Sequence, residues 1–245
     1  ARLRRLLEAY GDADRIFDAG RRACADIIGE VASRQLFDKE TEQQAHEVEQ
    51  WLRDTPQADF VCWADPDFPK EVLAYEGAPS FFLLRGKREI LKSRRIALAG
   101  AMRPDAEGLQ NAEAFAGALV RSGRTVVSFL ENETDAQVAR SILNLEEESQ
   151  AGLLVLSATG PDRLYPPAMR DLYHLAADRG LILTPLMPGI GVSEQTRCVR
   201  LSVFGSFGVA SRVARASSYA GQTFCRQQPR CLCDSGQHPF VALQG

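Results

Sequence analysis

The sequence predicts an α/β protein: a mostly parallel sheet with helices on both faces, preceded by a small all-helical N-terminal domain. Apolar runs of strand length occur at Ile96–Ala99, Thr125–Leu130, Gly152–Ala158 and Gly180–Leu186. Stretches with helical spacing separate them, Asp105–Arg121 and Ala168–Asp178 being the clearest. That alternation is how parallel strands joined by crossover helices read in a sequence. In such sheets ligands bind outside the carboxyl ends of the strands, so function is to be sought in the loops after Ala99, Leu130, Ala158 and Leu186.

Taken in order, residues 1–52 show helical spacing throughout. Leu3, Leu6, Leu7 and Tyr10 recur on one face, Gly11 interrupts, and Asp14–Ala19, Asp26–Phe37 and Lys39–Leu52 continue the pattern. Asp54-Thr55-Pro56-Gln57 is the first clear breaker, because proline removes a donor and disfavours helix at the residue before it. The expected division is a helical domain over 1–55 and a sheet domain over 58–245. Phe60–Trp63 and Ser80–Leu84 read as strands around a turn at Asp65–Pro69 and a short helix through Leu73 and Tyr75. A basic linker, Arg85–Arg95, leads into the central strand, and Pro239–Leu243 reads as the domain's last strand.

The 245 residues are 45% apolar and 25% charged, ordinary for a globular protein with a full core. No apolar run approaches the roughly 18–20 residues of a membrane span. The first residues form an amphipathic pattern without a secretory h-region, so no membrane and a cytoplasmic location are expected. Cys24, Cys62, Cys198, Cys225, Cys231 and Cys233 are scattered unlike a disulfide framework. Cys225, Cys231, Cys233 and His238 offer four metal ligands, but Cys-x-Cys departs from the usual knuckle spacing. Free thiols are the expected reading, and a metal stays the alternative.

A net charge of −3 does not announce a nucleic-acid binder, yet the charge is unevenly spread. Arg85, Lys87, Arg88, Lys92, Arg94, Arg95 and Arg103 face only Glu89 between Arg85 and Arg103, and the segment from Arg197 to Arg230 holds arginines and no acid. Glu131, Glu133, Asp135 and Glu146–Glu148 reverse the sign. Charge runs are commonly solvated faces; two basic segments flanking a ligand edge also suit a phosphate-binding stripe.

The order Asp67-Phe68-Pro69, Ala78-Pro79-x-Phe-Phe-Leu-Leu-Arg-Gly, Ile96-Ala97-Leu98-Ala99-Gly100-x-x-Arg103, Ser122–Ser128 and Gly160-x-Asp162-x-x-Tyr165-Pro166 resembles the DNA-processing protein A family (DprA, or Smf). The likeness runs from about Leu3 to Leu243 and rests on order and spacing. It implies an extended Rossmann-like domain that binds single-stranded DNA, works as a homodimer and helps load the RecA recombinase during natural transformation. On this resemblance the chain reads as a diverged member. The family's Gly-Ser-Arg appears as Gly100-Ala101-Met102-Arg103, and its Ser-Gly-Leu-Ala-x-Gly-Ile-Asp as Ser128-Phe129-Leu130-Glu131-Asn132-Glu133-Thr134-Asp135. Ser128 and Asp135 are retained, while both glycines are replaced; Phe129 and Glu133 in their places obstruct a phosphate, and Glu131 and Glu133 repel it. Arg197 and Arg200 are the nearest counterparts of the family's Arg-Asn-Arg.

The expected site is an anion pocket of Gly100, Arg103, Ser128, Gly160, Asp162, Arg197 and Arg200, with Asp135 beside Ser128. Arginine forks suit phosphate oxygens, and the turns at Gly100 and Gly160 let main-chain N–H groups join in. Tyr165 stacks a base or caps the core. The alternative is that these residues only make turns in a fold that has lost its ligand. Catalysis finds little support, since His46, His174 and His238 have no evident nucleophile beside them and phosphate-loop signatures are absent. No cofactor is expected. Two further readings stay open: a diverged member serving as a protein-interaction or regulatory subunit, and a nucleotide-binding sensor or hydrolase.

Overall fold

The computed structural model describes residues 2–74, 78–145 and 150–210. Four helices open the chain: α1 (Arg2–Tyr10), α2 (Ala13–Ile28), α3 (Glu30–Leu36) and α4 (Lys39–Asp54). Leu6, Ile16 and Cys24 form the buried centre of the first three, with Leu7, Tyr10, Ile27, Ile28, Leu36 and Phe37 packed around it. The helical pattern bends at Gly20 (φ 76°) and breaks at Gly29 (φ 87°), where a left-handed backbone ends α2 and starts α3. Asp12 caps α2 by accepting the Arg15 N–H at 2.9 Å.

Seven strands are found among the described residues: β1 (Ala58–Cys62), β2 (Phe81–Gly86), β3 (Arg94–Leu98), β4 (Arg124–Ser128), β5 (Leu153–Leu156), β6 (Leu181–Thr184) and β7 (Val209–Ala210). Their order in the sheet is β1-β2-β6-β5-β4-β3-β7. The five from β6 to β7 run parallel. β2 is antiparallel to β6, and β1 is antiparallel to β2.

Helices α5 (Ala106–Arg121), α6 (Glu133–Leu143) and α7 (Arg170–Arg179) cover one face, where Ala112, Ala116, Val120, Val138 and Ile142 meet Val126, Leu153, Val155 and Ile182. The opposite face buries Ala97, Val127, Leu154, Leu156 and Leu183 beneath Phe68, Phe82 and, from α8 (Glu194–Gly205), Val203 and Phe204. Alternate residues of β5 thus serve different cores, which is why the strand reads as an unbroken apolar run.

The predicted strand through Leu130 stops at Ser128. Leu130 adopts φ 60°, an unfavourable left-handed conformation for leucine, and its side chain is fully buried. Burial of that one side chain offsets the local preference and turns the chain into α6, capped by Asn132 on the Asp135 N–H at 3.0 Å. α8 begins in a capping box, Ser193 and Thr196 each accepting from the other's backbone N–H.

Candidate nucleic-acid interface

The parallel strands deliver the loops 99–105, 129–132, 157–166 and 185–193 to one rim. In the first, Arg103 and Met102 are exposed. Gly100 is required by a neighbouring helix: a Cβ there would lie 2.2 Å from Cγ2 of Thr134, whose hydroxyl donates to the Ala101 carbonyl at 2.7 Å. The loop is thereby pinned to the first turn of α6.

Ser128 and Asp135 are buried beneath the second loop. The Asp135 carboxyl accepts the Glu131 N–H at 3.0 Å and lies 3.4 Å from the Ser128 hydroxyl. Burial pushes the Asp135 carboxyl above the ordinary range, and the Glu131 charge adds to that, against the backbone N–H bonds that favour the ionised form. These two retained residues therefore shape the loop that carries Glu131 and present no group to the rim.

In the third loop the Gly160 N–H donates to Ile190 at 2.8 Å, and Asp162 accepts the Gly189 N–H at 2.8 Å. A Cβ on Gly160 would stand 2.3 Å from the Met187 carbonyl oxygen. Gly160 and Asp162 thus fasten two rim loops together. Gly160→Ala is expected to lower stability by about 2 kcal/mol, because backbone rather than a yielding side chain blocks the new methyl; a shift in the urea midpoint checks it. Beneath them lies the Tyr173 phenol of α7, hydrogen-bonded to Ser157 and Thr159 and pushed up to about 12 by burial.

The two α8 arginines come together with Tyr165 and Glu131. Arg200, 5% exposed, sets Nη1 2.9 Å from Glu131 Oε1 and donates from Nη2 to Oε2 at 2.9 Å. Its guanidinium lies 4.1 Å over the Phe129 ring, and Phe129 packs on Phe204 with ring centroids 4.3 Å apart. Arg197 is half-exposed, donates to the Tyr165 hydroxyl at 3.0 Å and sits 5.2 Å over that ring; its Nε is 3.9 Å from Glu131 Oε1.

Arg200, expected to hold phosphate, has its fork on the Glu131 carboxylate in this structure. One expectation needs correction. The Arg85–Arg95 run does not flank the ligand rim, because it leaves β2 at Gly86, opposite Leu181 at the start of β6, and enters β3 at Arg94, both at the amino end of the parallel strands. Of the basic residues from Arg85 to Arg103, only Arg103 reaches the carboxyl rim. Arg88 is held by Asp59 and Asp67, and Arg95 by Glu71. Tyr165, read as stacking a base or capping the core, is partly exposed and carries Arg197. Glu131 was legible as an acidic intrusion, but its role as the Arg200 partner depends on contact across 69 residues of chain.

Among the described residues no three His, Cys, Asp or Glu side chains gather as a metal site. The Cys225, Cys231, Cys233 and His238 cluster, the arginines beyond Arg200, Glu146–Glu148 and the 239–243 strand lie outside the described residues. No described helix is long and apolar enough to cross a membrane.

A doubly covered parallel sheet with its loops converging on an arginine-bearing rim defines a Rossmann-like α/β protein. The family model of DNA recombination-mediator protein A matches residues 59–222, two-thirds of the chain, and the chain belongs to that family. A curated relative, Protein Smf of Synechocystis sp. (strain ATCC 27184 / PCC 6803 / Kazusa), is 30% identical over 141 residues, 56% of this chain. The match spans about a third (34%) of that relative's length. The X-ray structure of DNA processing protein A from Streptococcus pneumoniae is similar with a TM-score of 0.66 at 19% identity, covering 85% of this chain and 71% of that one. DNA processing protein A from Helicobacter pylori, described for its single-stranded DNA binding mode, gives 0.54 at 19% identity, with 62% and 67% covered. Both structural likenesses bear on the fold.

Proposed function

We propose that this recombination-mediator family member binds single-stranded DNA along the carboxyl rim of its sheet. On this reading it acts in the cytoplasm by binding rather than by bond chemistry, works as a homodimer and passes the strand to a RecA recombinase. The observation that supports it best is the Arg197–Tyr165 pair, an aromatic face with a guanidinium over it, half open to solvent. A base can stack on such a platform while the cation meets the neighbouring phosphate. Arg103, exposed and without a carboxylate partner among the described residues, supplies a second phosphate contact. Gly100, Ser128, Asp135, Gly160 and Asp162 hold the loops in place for these two contacts.

The reading is tested by titrating a labelled oligonucleotide at several salt concentrations. Arg103→Ala and Arg197→Ala are each expected to weaken binding about 5- to 10-fold and to reduce the salt slope by about 0.7, the single-strand value for one lost phosphate contact. Unchanged affinity in both variants would remove the rim from the interface. The Glu131–Arg200 ion pair favours a second reading, in which the chain has given up DNA and serves as an interaction or regulatory subunit. Folded wild-type protein that fails to bind single strands at low salt would establish that alternative.

A further inference from the structure

Among the described residues, four buried side-chain polar atoms lack a hydrogen-bond partner, and three of them lie in one place: Arg197 Nε, Arg200 Nε and Glu131 Oε1. Two guanidinium groups share a single carboxylate there. Arg200 donates a hydrogen bond to Oε2 of Glu131 and meets Oε1 as an ion pair at 2.9 Å without hydrogen-bond alignment, and Arg197 approaches the same Oε1 only at 3.9 Å, too far for a hydrogen bond. A guanidinium fork takes carboxylate and phosphate oxygens in the same bidentate way. Each cation also rests on an aromatic ring, Arg200 over Phe129 and Arg197 over Tyr165, a contact that does not involve the carboxylate.

We propose that Glu131 is a built-in competitor for an anion site formed by Arg197 and Arg200, and that a phosphate group enters this site only by displacing the carboxylate. Displacement needs no rearrangement of the main chain. The Glu131 backbone is fastened through its N–H to Asp135, so its side chain swings out alone. The opening lies on the solvent side, where Glu131 is 20% and Arg197 43% exposed against 5% for Arg200. Glu131 thus sets the threshold for phosphate binding at the rim: weak single contacts leave it in place, and a strand also held at Arg103 and Tyr165 drives it out.

This inference deepens the DNA-binding reading, and two probes keep them separable. Glu131→Gln keeps size and an acceptor while removing the competing charge; Glu131→Ala removes both. Inorganic phosphate is expected to raise the Tm of both variants and to leave that of the wild type nearly unchanged, since an anion stabilises only a site it can occupy. The labelled oligonucleotide is expected to bind Glu131→Gln about tenfold more tightly than the wild type, with a salt slope steeper by about 0.7. Adding Arg200→Met to Glu131→Gln is expected to abolish both gains. Wild-type protein that fails to bind the oligonucleotide while Glu131→Gln binds it would uphold the competitor and reject constitutive DNA binding. Glu131→Gln that is folded by circular dichroism, unresponsive to phosphate and equal to the wild type on the oligonucleotide would overturn the competitor. If Glu131→Ala does not fold, the glutamine variant alone decides.

Discussion

Arg200→Ala is expected to destabilise the fold by about 3 kcal/mol, because removing one partner of a buried ion pair strands the other. Arg200 is 5% exposed, so its guanidinium has lost almost all its water, and Glu131 with Phe129 replaces it. After truncation the Glu131 carboxylate keeps only the distant Arg197 Nε at 3.9 Å. Rotation of Glu131 toward solvent holds the loss at the lower end of the range for buried pairs, which is about 3–5 kcal/mol. A double replacement, Arg200→Met with Glu131→Leu, is expected to recover most of it, since an apolar pair of similar volume needs no counter-charge. Urea unfolding checks both variants, and a loss below about 1 kcal/mol for Arg200→Ala would show that the pair is not desolvated. The result also governs how DNA binding by Arg200 variants is read: weaker binding has to be corrected for the fraction folded before it says anything about phosphate contact.

The sheet was legible in the sequence because its strands are covered on both faces. Leu153–Leu156 is apolar at every position, as a strand buried on both faces requires, and its short length between breakers favours strand over helix. Helix α5 was legible through its start, Asp105 capping the Gly108 N–H at 2.7 Å, whereas α8 was not read from the sequence. What escaped was decided by contacts between distant segments. Nothing local announces that Leu130 turns left-handed; its burial beneath α6 does. Gly100 and Gly160 read as phosphate-cradling glycines, whereas their missing side chains make room for Thr134 and the Met187 carbonyl. The site was half legible for the same reason. Arg103 and Tyr165 could be assigned to rim loops from strand direction alone. The pairing of Arg200 with Glu131, and of Arg197 with Tyr165, needed α8 to be laid across the sheet's other face, which no spacing in the chain prescribes.

Arg88→Ala is expected to cost about 2–3 kcal/mol at neutral pH, and this cost is expected to shrink in acid. Arg88 follows β2 and reaches back to the edge strand β1 and the turn after it. Nε and Nη2 donate to Asp67 at 2.7 and 2.9 Å, and Nη1 donates to Asp59 at 2.8 Å and the Phe60 carbonyl at 3.0 Å. Asp65 stands 3.9 Å away while accepting the Cys62 N–H. Truncation leaves three carboxylates facing one another beside an edge strand that has one neighbour in the sheet. The Arg88 hydrogen bonds hold the Asp67 carboxyl below the usual carboxylate range against its burial, and Asp67 in turn raises the Arg88 guanidinium. A carboxyl lowered in the folded state adds stability that is complete above its unfolded value of about 3.9 and is lost as pH falls through the folded value. In Arg88→Ala the largest part of that lowering is gone, and only a backbone hydrogen bond and the Lys92 charge still oppose burial at Asp67, so the variant has less to lose on acidification. Urea midpoints of the two proteins should therefore lie furthest apart from about pH 5 upward and converge below about pH 4. A gap that stays constant down to pH 3 would mean that Arg88 works through packing of its aliphatic stem against β1, and that the carboxylates around it are already satisfied by water.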